Sequence, residues 1–236
     1  MHMRTRMLAV AAVALVGAFG VIQGEGPAVA TIDPASFTKP VANPYFPLKP
    51  GTVFTYRGTE GSDRLVEHLR VTHRTEKIQG VATTVIKDIL FANGRLQERT
   101  TDWYAADNGG TVWYFGERTA VYDKHGNVKS REGTWRAGVN GGVAGIIMPA
   151  DPKPTDAYRQ EFLAGHAEDQ AWIVSRHEQL RVPYGRVTDV VRSYEWTRLE
   201  PHVVSVKFYG PHLGIVSEQD VAGGTEFLQL VHVRHH

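Results

Sequence analysis

The sequence predicts an all-β protein whose antiparallel strands follow one another in a meander and form a strongly curved sheet or barrel. Three observations support this fold class. Runs rich in β-branched and aromatic residues recur at short spacing, turn dipeptides such as Asn93-Gly94 separate them, and no segment keeps a helical apolar period. About eleven strands are expected, and a two-sheet sandwich is the alternative arrangement.

The beginning of the chain carries the pattern of a secretion signal, predicted over residues 1–30. Arg4 and Arg6 supply a charged start, an apolar run follows over 7–22, and the small residues Ala28 and Ala30 favour cleavage after Ala30. The apolar run is short for a membrane anchor. We therefore expect a secreted or extracytoplasmic protein with no membrane span once the signal is removed.

Charge and cysteine content restrict the partners that the chain is expected to bind. The sequence holds 26 Lys and Arg against 25 Asp and Glu, and removing residues 1–30 takes away two Arg and Glu25, which leaves a neutral chain. A neutral chain argues against nucleic acid or an anionic membrane as partner, since both demand a basic face. There is no cysteine, so an exported protein of this kind must be stable without disulfides. A small-molecule partner is compatible with this charge balance, and the sequence leaves the oligomeric state open.

Residues 31–50 form a proline-rich lead-in to the domain. They contain five prolines, which exclude a central strand or a regular helix and predict an extended segment. Tyr45, Phe46 and Leu48 are expected to pin this segment to the domain. The turn at Pro50-Gly51 then opens a single all-β domain predicted over residues 51–236.

Turn signals divide the first half of the domain into a meander of neighbouring strands. Asn93-Gly94 and Asn108-Gly109 are the strongest of these signals, because both positions of a two-residue hairpin turn require positive φ. The first predicted strand begins at residue 52, and further strands are predicted at 63–75, 81–91, 96–106, 112–117 and 128–135.

Residues 137–157 interrupt the strands with four glycines followed by three prolines, which predicts a long loop. A crossover with residues 146–148 against the core is favoured, and a mobile lid is the alternative. Beyond the loop, residues 164–172 have room for one or two helical turns at most. Strands are predicted to resume at 158–162, 171–182, 187–196, 203–209, 214–220 and 226–233.

Six short segments, spread over nearly the whole chain after the signal, carry a family resemblance. They are N-P-Y-F-P-L-K-P-G-T (43–52), D-W-Y-A-A-D (102–107), V-W-Y-F-G-E (112–117), G-I-I-M-P-A (145–150), Y-R-Q-E (158–161) and E-W-T-R-L-E-P (195–201). With these segments the chain resembles a group of exported bacterial proteins of unassigned function. The resemblance implies an extracytoplasmic location and one domain, and it brings no reaction, substrate or cofactor.

The hairpin around Asn108-Gly109 holds the candidate site. A two-residue turn there would pair Tyr104 with Trp113 and Asp102 with Phe115, and directly opposed residues share one side of a sheet. Glu117 would then lie diagonal to Asp102 on the same face. We therefore expect two close carboxylates among aromatic side chains.

Neighbouring turns extend this face. Asn93-Gly94 as a two-residue turn would place Lys87 opposite Thr100, and the register carried past residue 126 would place Arg136 beside Phe115. A bulge at Gly116 would flip every side chain beyond it. The predicted catalytic pair is Asp102 and Glu117, and the predicted ligand-binding residues are Lys87, Tyr104, Trp113, Phe115, Arg136, Arg159 and Glu161.

Three functions fit this pattern. The favoured one is a small-ligand-binding protein, because charged residues set among aromatics suit the concave side of a curved sheet that encloses a cavity. The second is an extracytoplasmic hydrolase or isomerase with Asp102 and Glu117 as an acid–base pair, since close carboxylates raise one another's pKa. The third is a structural or partner-binding envelope protein without a pocket. In that case the carboxylates belong to an ion-pair cluster on a half-solvated sheet.

Several enzyme classes lack their sequence motifs in this chain. There is no H-E-x-x-H, no G-x-S-x-G, no cysteine nucleophile and no EF-hand loop. The histidines are scattered without metal-ligand spacing. We therefore predict no metal site and no cofactor.

Overall fold

The computed structural model describes residues 32–236, so the signal peptide predicted over 1–30 lies outside the described residues. Within this range no helix is long and apolar enough to cross a membrane. The one helix of the described part is a short 3-10 helix, Pro34–Phe37, inside the lead-in that we predicted to be fully extended. Proline is tolerated there because Pro34 occupies the first helical position, where no amide donor is needed.

Fifteen strands, joined by turns and loops, follow in the described chain. They are β1 (Thr52–Glu60), β2 (Asp63–Ile78), β3 (Val81–Ala92), β4 (Arg95–Ala106), β5 (Val112–Tyr122), β6 (Val128–Ser130), β7 (Trp135–Arg136), β8 (Val143–Met148), β9 (Ala157–Arg159), β10 (Glu161–Phe162), β11 (Asp169–Val182), β12 (Gly185–Thr197), β13 (Val204–Gly210), β14 (Gly214–Ala222) and β15 (Glu226–His235).

The predicted fold class is confirmed: the strands form one antiparallel sheet that curls into a nearly closed barrel. The sheet order is β10-β8-β5-β4-β3-β2-β1-β15-β14-β13-β12-β11-β9, and the short strands β6 and β7 pair with β5 beside this path. The strand count exceeds the predicted eleven because β6, β7, β8, β9 and β10 are short pieces that turn-rich sequence conceals.

The barrel closes at Gln160. The two edge strands of the sheet are β9 and β10, and this single residue separates them along the chain. The two edges must therefore lie side by side, which forces the sheet to curl. Gly145 of β8 permits this seam, because a Cβ at Gly145 would lie 2.4 Å from the backbone of Gln160. The single strand that we predicted over 158–162 is thus wrong, since its two ends belong to opposite edges.

The predicted long loop over residues 137–157 is also wrong in part. Val143–Met148 is strand β8, and Met148, Ile146 and Gly145 pair with residues of β5. Glycine-rich flanks hide this strand from a propensity argument, because its stability comes from pairing with β5 rather than from its own composition. Strand β8 is part of the barrel wall, and its residue Ile147 faces the barrel interior.

The turn at Asn93-Gly94 is the predicted two-residue turn, with both φ angles positive, at 50° and 78°. Ala92 pairs with Arg95 across it, as expected. A bulge between Leu90 and Phe91 in the β3–β4 ladder then shifts the register by one residue. A one-residue shift moves a side chain to the opposite face of the sheet.

The turn at Asn108-Gly109 differs from the prediction. Asp107 and Thr111 close a three-residue loop over 108–110, with Gly110 at a φ of 92°. The Asp107 carboxylate accepts hydrogen bonds from the amides of Gly109 and Thr111, at 2.8 and 2.9 Å. This capping stabilises the longer loop and moves the register of β4 and β5 by one residue.

A second one-residue shift follows in the same hairpin, at a bulge opposite Trp103 that contains Gly116. Tyr104 therefore pairs with Tyr114, while Asp102 pairs with Glu117. Between the turn and the bulge, the pairing of β5 with β4 is shifted by one residue, so the β5 side chains lie on the face opposite to the predicted one. Beyond the bulge the pairing is shifted by two residues in total, so the β5 side chains lie on the predicted face again.

The lead-in packs against the turn of this hairpin and against the end of β8. Buried Asn43 donates to the carbonyls of Gly110 and Pro149 and accepts from the amides of Tyr45 and Phe46. These four bonds hold the Tyr45 ring in an apolar cluster with Met148, Ile173, Val191 and Tyr209.

A carboxyl-rich cavity as the candidate functional site

The inner face of the barrel lines a cavity of about 150 Å³. Its wall combines apolar side chains, tyrosines and an unusual number of carboxyl groups. Its lining residues include Phe46, Glu67, Leu69, Asp88, Glu98, Asp102, Tyr104, Tyr114, Glu117, Ile147, Glu161, Asp169, Glu195, Lys207, Tyr209, Ile215 and Glu218.

Two tyrosines form the centre of the wall on β4 and β5. The rings of Tyr104 and Tyr114 stack with their centroids 4.5 Å apart and their planes 12° from parallel. The Phe46 ring of the lead-in lies against Tyr104, at 5.0 Å between centroids. Cross-strand pairing sets this stack, because directly opposed residues on one face of a sheet bring their side chains into contact.

The Tyr114 hydroxyl lies between the two carboxyl groups predicted as a pair. It is 2.8 Å from Asp102 Oδ1 and 3.1 Å from Glu117 Oε2. A hydroxyl has one proton, so it can donate to only one of two ionised carboxylates at a time. Both contacts are satisfied together when Tyr114 donates to Asp102 and a protonated Glu117 donates to the tyrosine oxygen.

The electrostatics of Glu117 favour this arrangement. Burial raises its pKa well above the ordinary value, and the nearby carboxyls of Glu161, Asp102 and Glu98 raise the pKa further. The hydrogen bond with Tyr114 acts in the opposite direction and does not offset them. These influences favour the protonated form of Glu117 in the free protein.

Glu161 enters the cavity from the barrel seam. Its side chain is 1% exposed, and neither carboxyl oxygen has a hydrogen-bond partner. Burial and the carboxyl of Asp169 raise its pKa well above the ordinary value. The indole N–H of Trp135 approaches closely enough to oppose that rise, but it does not reach hydrogen-bond geometry.

The opposite wall is electrostatically satisfied. Lys207 Nζ lies 3.0 Å from Glu195 and 3.5 Å from Glu218. Glu195 also accepts hydrogen bonds from Ser193 and Tyr209, at 2.9 and 2.7 Å. Burial alone would raise the pKa of Glu195, but Lys207 and the hydrogen bonds with Tyr209 and Gln160 hold it below the ordinary value.

Four of the predicted site residues line this cavity together: Asp102, Glu117, Tyr104 and Glu161. Asp102 and Glu117 share a face because the two register shifts of the hairpin restore the predicted face for Glu117.

The predicted positions of Trp113 and Phe115 are wrong. The register of β5 is shifted by one residue before the bulge, which places both side chains on the outer face of the sheet. Both rings pack against Phe37 of the lead-in, and the Trp113 indole donates to Asp107.

The predicted basic residues also lie outside the cavity. Lys87 pairs with Thr101 instead of Thr100, and its ammonium donates to the Thr101 hydroxyl on the outer face. Arg136 pairs with Gly116 and forms an ion pair of 2.5 Å with Glu76. These corrections follow from the bulge in the β3–β4 ladder and from the bulge at Gly116.

Arg159 and Glu161 do not reach one cavity, although we predicted them on one strand. Arg159 is exposed on β9, where its guanidinium lies 4.4 Å from the centre of the Phe162 ring. Glu161 begins β10 on the other edge and points inward. The seam at Gln160 separates the two side chains.

Sequence reasoning missed most of the carboxyl groups. Glu98, Asp88, Asp169, Glu195 and Glu218 all line the cavity. A signal was present in β4, where Glu98, Thr100, Asp102 and Tyr104 alternate with residues of the outer face. Such polar alternation is ordinary on a solvated face, and only closure of the sheet turns that face inward.

The described residues contain no group of three or more His, Asp or Glu side chains arranged to hold a metal ion. The carboxyls are spread over the wall instead of converging on one point. The arrangement can therefore bind a cation through two or three of its oxygens, or move a proton along Glu117, Tyr114 and Asp102.

Comparisons with known proteins give a fold likeness and no family. No protein-family model matches the chain, and no curated protein matches it. A protein proposed to be exported, with a YmcC-like fold, from Bacteroides fragilis aligns with a TM-score of 0.49 and 13% identity over 82% of this chain and 100% of that chain. A proposed lipoprotein from Parabacteroides distasonis aligns with a TM-score of 0.44 and 12% identity over the same shares, 82% and 100%. The function is therefore inferred from the cavity.

Proposed function

We propose that this chain is an extracytoplasmic protein that binds a small molecule inside the barrel. The observation that carries the proposal is Glu161, whose buried carboxyl faces an internal cavity without a hydrogen-bond partner of its own. Buried polar groups in folded proteins are almost always hydrogen-bonded, and the exceptions call for a functional explanation. The signal pattern of the sequence supplies the extracytoplasmic part of the proposal.

The size of the cavity limits the ligand. An apolar cavity of roughly 150 Å³ holds a molecule such as benzene, so a ligand of about six to ten non-hydrogen atoms fits. The apolar side chains of Phe46, Leu69, Ile147 and Ile215 offer a surface for its carbon atoms, while the carboxyls fix its polar end.

A screen of small fragments tests the proposal. Neutral, cationic and anionic fragments of about six to ten non-hydrogen atoms are mixed with the protein, and binding is followed by ligand-observed NMR. We expect hits that disappear in Ile147→Phe, which fills the cavity, and persist in Val139→Phe, which enlarges an exposed side chain of the same crossover. No hits, or hits that Ile147→Phe leaves unchanged, would overturn the proposal.

An enzyme is the second candidate, and the Asp102–Tyr114–Glu117 chain favours it. A protonated carboxyl beside a second carboxyl is the arrangement that hydrolases and isomerases use for acid–base chemistry. Conversion of a fragment hit over time, abolished by Asp102→Asn, would identify a catalyst. Stable binding without conversion would favour the binding protein.

The third alternative, an envelope protein without a pocket, required a closed and fully packed interior. The barrel holds a cavity, which argues against that alternative.

A further inference from the structure

We infer that the cavity takes a small organic amine in its protonated form, with the ammonium group held by Glu161 and Glu117. This inference rests on the proposed small-molecule function and names its ligand class.

The charge of the cavity wall is the first reason. Nine carboxyl groups line the cavity, and among the described residues Lys207 is the one basic side chain beside them. Lys207 already pairs with Glu195 and Glu218 on one side of the cavity. On the other side, Glu161 and Glu117 form no ion pair with a basic side chain of the described residues. A positive ligand group would supply the missing counter-charge in a site of low dielectric constant, where its effect is large.

The unpartnered oxygens are the second and independent reason. Both oxygens of Glu161 and Oε1 of Glu117 are buried without a hydrogen-bond partner. Glu161 of β10 and Glu117 of β5 line the same cavity. Three acceptors match the three N–H donors of a primary ammonium group. Protonation alone does not satisfy Glu161, because its own O–H would then lack an acceptor.

A metal ion fits the site less well than an amine. The described part of the chain offers no cluster of three or more metal-ligating side chains. Calcium and magnesium require about six or more oxygen ligands at fixed short distances. The wall beside Glu161 includes Ile147 and the Tyr104–Tyr114 stack, which suit carbon atoms rather than a hydration shell.

The inference includes a proton exchange. The charged groups that act on Glu161 are Asp169 of β11, Asp102 of β4, Glu117 of β5 and Lys207 of β13, with the Trp135 indole of β7 beside them. The three carboxyls favour a proton on Glu161 in the free protein, whereas an ammonium favours the carboxylate. Amine binding therefore displaces about one proton, and amine affinity rises with pH until Glu161 is ionised in the free protein.

A matched series of probes tests the ligand class. n-Butylamine, n-butanol and butyrate have similar size and differ in charge, and each is titrated into the purified exported chain at pH 7.5 by NMR. We expect n-butylamine to bind at least about tenfold more tightly than the other two, because a charge-assisted hydrogen bond is roughly twice as strong as a neutral one. Calorimetry in two buffers of different ionisation enthalpy should record the released proton.

Two isosteric variants locate the site. Glu161→Gln keeps the shape of the protonated side chain and prevents the carboxylate that forms when the amine binds, so it should lower n-butylamine affinity about ten- to hundredfold. Glu117→Gln keeps a neutral side chain with one acceptor oxygen, so it should lower the affinity less than Glu161→Gln does. Glu76→Gln is the control, since Glu76 pairs with Arg136 on the outer face of the same sheet and should leave affinity unchanged. Thermal unfolding of each variant verifies that it is folded.

Two results would overturn the inference. The first is n-butanol or butyrate binding as tightly as n-butylamine, and the second is n-butylamine affinity that Glu161→Gln leaves unchanged. If neutral or anionic fragments nevertheless bind in a manner blocked by Ile147→Phe, the proposed function stands and only the amine class is wrong. If no probe and no fragment binds, both are wrong.

Discussion

Asp102 and Glu117 oppose each other directly on neighbouring strands of the barrel, with the Tyr114 hydroxyl 2.8 Å from the first carboxyl and 3.1 Å from the second. One hydroxyl proton serves both contacts only if one of the two carboxyls is protonated, and the raised pKa of Glu117 favours Glu117 as that group. The Tyr104–Tyr114 stack holds the Tyr114 hydroxyl between the two carboxyls, so ring packing and the protonation of Glu117 are connected. Substitutions can change the carboxyls and the surrounding backbone separately.

Asp102→Asn should remove ligand binding at small cost in stability. The asparagine oxygen can still accept from Tyr114, so we expect the free energy of unfolding to change by less than about 1 kcal/mol. n-Butylamine affinity should fall, because a negative charge leaves the cavity wall. The measurements are denaturant unfolding and NMR titration, with exposed Asp63→Asn as control. A lowered melting temperature with unchanged binding would assign Asp102 a structural role.

Stability should decline as pH rises from about 5 to about 8. The pKa of Asp169 is raised to about 8, chiefly by burial, and burial raises the pKa values of Glu117 and Glu161 well above their ordinary range. The unfolded chain loses these protons near pH 4 to 5, whereas the folded chain retains them. Their stabilising contribution is thus complete below the unfolded pKa and is lost as pH rises through the folded pKa.

Each such group lowers the free energy of unfolding by at most roughly 1.4 kcal/mol per pH unit within its window. Below about pH 5 the carboxyls with lowered pKa, such as Glu76 and Glu195, lose their own contribution. Thermal melting across pH should therefore show a maximum on the acidic side. Asp169→Asn should flatten the decline, and an unaltered pH profile in that variant would contradict the assignment.

Gly116→Ala should destabilise the barrel by about 2–4 kcal/mol. Gly116 has a φ of 133°, and a Cβ there would lie 2.5 Å from the carbonyl oxygen of Trp135 and 2.8 Å from Cα of Arg136. Backbone atoms cannot rotate away, so the bulge would have to open. Gly61→Ala is the control, because Gly61 shares a positive φ but has open space around it. Equal losses for both variants in denaturant unfolding would show that the collision is unimportant.

Asn43→Ala should release the lead-in from the barrel. Its side chain makes four hydrogen bonds to backbone groups, and removing it leaves buried donors and acceptors unpaired at a cost of about 2–4 kcal/mol. Limited proteolysis should then cut the segment around Tyr45 faster than in the original chain. Exposed Asn140→Ala is the comparison. Equal cleavage rates would mean that other contacts hold the segment.

Cleavage of the signal should occur after Ala30, because small residues stand at positions 28 and 30. The intact mass of the exported protein, measured after expression of the full chain in a secreting host, decides the point. A mass that retains residues 7–22 would contradict the prediction, and a mass displaced by a few residues would move the cleavage site.

The sequence by itself determined the fold class and the kind of chemistry at the centre. β-Branched and aromatic runs with turn dipeptides specify an antiparallel meander because those preferences are local, and the Asn93-Gly94 turn followed its local rule. Asp102, Tyr104 and Glu117 were recognised as a group because side-chain alternation and hairpin pairing are also local. Glu161 was added through a strand over 158–162 that the structure divides at Gln160. The error in the register of Trp113 came from the three-residue loop capped by the Asp107 carboxylate, and the bulge at Gly116 then restored the predicted face for Glu117.

Only the tertiary structure decided which face is inside. Net charge is a sum over all residues and does not depend on where they lie. The neutral total therefore does not reveal that nine carboxyls face inward. Arg57, Arg70 and Arg234, by contrast, lie exposed on the outer face. Closure at Gln160 makes this difference, because it turns the polar face of the sheet into the wall of a cavity. The pKa shifts of Glu117 and Glu161 arise from that closure, since burial and mutual repulsion act only when distant strands meet.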